Sequence, residues 1–95
     1  MSDTEKPFEK MVSTLVEQYG MSQEGAEKLV VQSAESVYTT NEMSKYKAMV
    51  EKLKETKSPE EARVEACKFV INSNPTWKMT AEDAHRYQLS GGSMI

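Results

Sequence analysis

The sequence predicts an all-α fold: a compact bundle of four main helices plus a short C-terminal helix. Three observations carry that reading. Apolar residues recur at intervals of three and four along most of the chain. Helix-start signals precede these runs: Ser22, then Ser58 with Pro59 and Glu61, then Thr80 with Asp83. No segment alternates apolar and polar residues as a half-buried strand would.

The first helix is expected from about Pro7 to Tyr19. Phe8, Met11, Val12, Leu15, Val16 and Tyr19 make one helical stripe. Pro7 suits the first turn, where its missing N–H costs nothing, and Gly20 is placed to end the helix in the left-handed conformation. Ser22 then reads as the cap of a second helix running to about Thr39. Its Ala26, Leu29, Val30, Val31, Ala34, Val37 and Tyr38 cover more than half the circumference, which places it between neighbours.

Asn41 is the expected cap of a third helix continuing to about Glu55. Met43, Tyr46, Met49, Val50 and Leu53 form its narrower stripe, opposite a lysine and glutamate face with Lys47 and Glu51 at i, i+4. Ser58 and Glu61 form a capping box with Pro59 at the first helical position, and the fourth helix should run to about Asn72, before Pro75. A second box, Thr80 with Asp83, opens a short fifth helix ending near Leu89. Residues 1–89 are therefore expected as one helical domain and 90–95 as a flexible tail.

The fourth helix has two apolar faces. Ala62, Ala66, Phe69 and Val70 share one, and Val64 and Ile71 point nearly the opposite way with Cys67 between. One face is enough to dock on a bundle. The second must be covered by the fifth helix with Trp77, or by another chain. Trp77 either folds over the end of the bundle or joins Met79 in a contact surface.

Composition and charge narrow the function. At 95 residues, 38% hydrophobic and 28% charged, the chain reads as a folded domain rather than a disordered tail. The polar first six residues do not resemble a secretory leader, no run is long enough to span a bilayer, and membrane binding is not expected. Cys67 is the sole cysteine, so no internal disulfide forms, and a reducing, cytoplasmic setting is expected. Net charge is −3, unevenly spread: residues 1–40 balance at −4, 41–57 at +2 and the rest at −1.

His85, the only histidine, stands beside Glu82 and Asp83, and Cys67 lies among apolar residues. Neither is placed for acid–base or nucleophilic work, so no enzyme and no cofactor are expected. Glu60, Glu61 and Glu65 read as charges favourable to a helix N-terminus rather than metal ligands. Leu15 through Val30 has the outline of a helix-turn-helix. Its second helix, however, opens with Gln23-Glu24-Gly25-Ala26-Glu27, acidic where phosphates would lie, and it has no arginine, so nucleic acid is not the expected partner.

The leading expectation is a non-enzymatic protein-interaction module, an adaptor, regulator or inhibitor, that self-associates. Val64, Cys67, Ile71, Trp77 and Met79 are its expected contact residues. On that reading, charged replacements of Val64 and Ile71 would change assembly without unfolding the bundle. Two alternatives stand beside it. One is an oligomer sequestering a small anionic ligand such as a nucleotide between protomers, held by Lys45 and Lys47 with Tyr46, or by Arg63 and Lys68. The other is a helix-turn-helix DNA-binding regulator.

Overall fold

Five helices follow one another: α1 (Pro7–Tyr19), α2 (Gln23–Val37), α3 (Thr40–Leu53), α4 (Pro59–Asn72) and α5 (Ala81–Leu89). The computed structural model describes residues 6–74, 77 and 79–90. Pro75 and all but Ser90 of the expected tail lie outside the described residues. Among the described residues no strand is present, and no helix is long and apolar enough to cross a membrane.

Side-chain caps fix most helix starts. The Ser22 hydroxyl accepts from the Gly25 N–H at 3.0 Å. Ser58 accepts from the Glu61 N–H at 3.3 Å, and Thr80 from the Asp83 N–H at 3.3 Å, each with its carboxylate returning the bond. α3 is capped by Thr39, not by Asn41. Thr39 Oγ1 accepts from the Glu42 N–H at 3.2 Å, and Glu42 Oε1 accepts from the Thr39 N–H at 2.9 Å. A Thr-x-x-Glu box satisfies two orphan N–H groups at once. Asn41, with Ser44 three residues on, offers no such return bond. Recruiting Thr39 also ends α2 at Val37, two residues before its expected limit. α3 in turn stops at Leu53 rather than Glu55, where the Lys57 N–H bonds back to the Leu53 carbonyl at 2.9 Å.

α1 is capped from a distance. Lys6 supplies no side-chain cap. Instead Asn72, at the end of α4, accepts from the Phe8 N–H at 3.0 Å and donates to Glu9 Oε1 at 3.1 Å. Lys68 Nζ lies 3.7 Å from Glu9 and 5.8 Å over the Phe8 ring. At the other end Gly20 takes φ 68°, and the left-handed turn lets its N–H reach the Leu15 carbonyl.

α1, α2 and α5 pack on one another, α4 packs on α1 and α2, and α3 packs on α4. The expected bundle of four main helices plus a short fifth forms, with α5 packed on α1 and α2 and α3 as the outer member on α4. α5 buries the alanines Ala81 and Ala84 and packs Tyr87 against the core's edge. α3 buries Tyr46 alone. The core holds Phe8, Leu15, Val30, Cys67 and Ile71, all essentially without solvent contact. Ser33 is buried among them, its hydroxyl satisfied by the Leu29 and Val30 carbonyls at 2.7 and 3.1 Å.

Thr39→Ala and Asn72→Ala should each lower the unfolding free energy by about 1 kcal/mol in urea titrations, and Asn41→Ala by close to none. A larger loss at Asn41 than at Thr39 would contradict the cap assignment.

Candidate interaction surface

Two helix beginnings meet in one groove. The first turns of α2 and α4 carry acids, which the positive end of a helix favours. Packing α2 against α4 brings those acids together. A hollow of about 430 Å³ results, with Val31 and Val64 among its lining and a rim of Glu24, Glu27, Glu60, Glu61 and Glu65. Lys28, Lys57 and Arg63 also line it, so five carboxylates face three cations, a balance of −2. Two of those cations are already engaged. Lys28 lies 3.9 Å from Glu24 and 3.7 Å from Glu60. Arg63 is bound to Glu35, with Nη2 at 2.9 and 3.0 Å from the two carboxylate oxygens. A second hollow, about 640 Å³, lies between α2 and α5 and includes Met21, Leu29 and Tyr87. Lys28 and Gln32 border both.

The Arg63–Glu35 pair belongs to a three-helix knot. The Tyr46 hydroxyl donates to Glu35, and Arg63 Nε donates to the Tyr46 oxygen at 3.4 Å. Glu35 of α2, Tyr46 of α3 and Arg63 of α4 are thereby tied together. Burial, then the hydrogen bond to Glu35, raises the Tyr46 pKa above its ordinary range. Behind Tyr46 stand Tyr38, with ring centroids 5.2 Å apart, and Trp77, 6.0 Å beyond Tyr38. Among the described residues, the buried Tyr38 hydroxyl and Trp77 Nε1 have no oxygen or nitrogen hydrogen-bond partner. The Cys67 thiol neighbours the Tyr38 hydroxyl, and burial pushes its pKa up to about 12.

These placements correct the expected contact set. Cys67 and Ile71 are both 0% exposed, inside the chain's own core, and cannot meet a partner in the folded protein. α4 packs on α1, α2 and α3 rather than chiefly on α5. Trp77 and Met79 are half-buried against the core, Trp77 over Tyr38. Only Val64 remains at a surface hollow. Phe69, assigned to the core face, is instead 49% exposed.

The expected anion-binding set does not converge. Lys45 and Lys47 are exposed on α3, whereas the Tyr46 ring is buried against Tyr38 and is not open to a base. Arg63 is held by Glu35, and Lys68 lies with Glu9 on another side of α4. Glu51 pairs with Lys54 at 3.1 Å, not with Lys47. Two features lay beyond sequence reasoning: the Glu35 knot, and the stacking of His85 on Tyr19 at 4.1 Å between centroids. Among the described residues, no three His, Cys, Asp or Glu side chains gather as a metal site would.

Two phenol deletions should separate a hydroxyl paired with a carboxylate from one set only against a thiol. Tyr46→Phe should cost about 1 kcal/mol, whereas Tyr38→Phe should cost less, because a thiol is a weak hydrogen-bonding partner. Chemical denaturation of both variants tests this, and a larger loss at Tyr38 would contradict the hydrogen-bond assignment. Alkali tests the same region. Cys67 and Tyr46 have raised folded pKa values, so their contribution is complete below their unfolded values, about 9 and about 10, and is lost as pH climbs above them. The melting temperature should therefore fall from pH about 9 upward, and less steeply above pH about 10 in Tyr46→Phe. A flat profile in the parent would contradict it.

No family model, no curated protein and no solved structure matches the chain.

Proposed function

We propose that this chain is a non-enzymatic protein-interaction module, of the adaptor, regulator or inhibitor kind, that receives a basic segment of a partner in the α2–α4 groove. The observation that carries the reading is the groove itself: valines lined by a surplus of carboxylates, with its own cations largely engaged. A lysine- or arginine-bearing helix fits such a surface. Its long side chains cover apolar area with their stems while the charged heads reach the rim.

The chain's nucleophile and imidazole are elsewhere. Cys67 is buried as a neutral thiol and His85 is stacked on Tyr19, and neither lines the groove. An anionic ligand is disfavoured here because the rim repels it, and the lysines once grouped for it are scattered. For DNA, the exposed strip of α2 offers Gln23, Glu24, Lys28 and Gln32, a poor match to phosphate.

The test is affinity capture with the parent and with Glu27→Lys/Glu65→Lys, whose folding is checked by circular dichroism. Any retained protein is then purified and titrated against both. Binding about tenfold or more weaker with the variant is the expected result. Equal binding would contradict the groove as the contact surface.

A further inference from the structure

We infer that the occupant of this groove is the lysine face of α3 from a second copy of the same chain. The inference rests on the groove being the contact surface, as proposed above, and adds the identity of what fills it.

α3 is the outer helix, packed on α4, and its outward strip is exposed. Along that strip Lys45, Ala48 and Lys52 fall at i, i+3 and i+7, one small apolar residue between two cations. α3 itself carries Lys45, Lys47 and Lys52 against Glu42 and Glu51, a balance of +1, opposite in sign to the −2 of the groove. Neither Lys45 nor Lys52 makes an ion pair among the described residues. In the groove, the same is true of Glu27 and Glu65. Ala48 is small enough to let the α3 backbone approach Val31 and Val64, while the two lysines flank it and reach the rim.

The net charge of −3 opposes association, but charges more than about 8 Å apart are largely screened at physiological salt. Contacting patches of opposite sign then outweigh the whole-molecule repulsion. Because groove and strip are built from different residues, each copy offers one of each. Two copies related by a two-fold axis make both contacts, or successive copies form a chain.

Light scattering on a sizing column, across concentration at about 50 mM and about 500 mM NaCl, reads the assembly directly. The parent should rise above monomer mass with concentration at low salt and return to monomer at high salt. Lys45→Glu/Lys52→Glu and Glu27→Lys/Glu65→Lys should each stay monomeric alone, and their equimolar mixture should assemble. Lys47→Glu/Lys54→Glu has the same net charge as the first variant but alters a different flank of α3, so it should assemble as the parent does. All three substitution pairs are exposed or rim positions, and circular dichroism confirms that each variant is folded. A parent that stays monomeric at low salt overturns the inference, as does assembly lost equally in the Lys47/Lys54 control. If the parent is monomeric while Glu27→Lys/Glu65→Lys still loses a captured partner, self-docking fails and the proposed function stands.

Discussion

Burial of α4 between α3 on one side and α1 with α2 on the other sets the remaining contacts of the molecule. A fully buried Val or Ile contributes about 1.5–3 kcal/mol, so Val70 and Ile71 weigh more than any surface ion pair, typically about 0–1 kcal/mol. The Glu35–Arg63 pair keeps 27% and 46% of its side-chain surface exposed, so it orients the helices more than it drives their packing. Apolar positions almost all round a helix are what a central element requires. Apart from the exposed Phe69, what α4 leaves at the surface toward α2 is its acidic first turn, Glu65 and Val64. These make the groove with α2. At its far end Asn72 and Lys68 hold the start of α1, so α4 organises both ends of the bundle.

What could be read in the sequence was local. Gly20, Ser22, the Ser58–Glu61 box and the Thr80–Asp83 box each act within a few residues, and each forms as its spacing implies. Thr39 was readable too. It stands three residues before Glu42 in the same pattern as Ser58 and Glu61, yet the nearby asparagine is an equally good cap in isolation. Distant pairings were not readable. Nothing in the residues around Lys6 announces that its missing cap is supplied by Asn72. Nor does the order of apolar residues in α4 say which side meets α3 and which meets α1 and α2. The pattern alone leaves Cys67 and Ile71 open to cover by the chain itself or by a partner and puts Phe69 in the core, whereas the fold buries the first two and exposes Phe69. Glu60, Glu61 and Glu65 are legible as helix-dipole partners, but the convergence of all five groove acids depends on the contact of α2 with α4.

The proposed role follows from that same division of labour. Residues that stabilise individual helices, the glutamates of two first turns, also create a negative surface once the helices meet. Residues that keep α3 soluble, its outward lysines, create the positive one. A chain with both is predisposed to ionic contacts, whether with its own copies or with another basic protein. Such contacts gain specificity and association rate from complementary charge more than raw affinity.

The reactivity of the single cysteine would probe the placement of α4 most directly. A thiol reagent such as Ellman's, added to the native protein and followed through a denaturant series, reports whether Cys67 meets solvent. If α4 is covered on both sides, native protein reacts only through its unfolded fraction, and the rate climbs in step with unfolding. Prompt, stoichiometric reaction in the fully folded protein would mean that the second face of α4 is open. The assignment of the groove as the remaining surface of that helix would then be wrong.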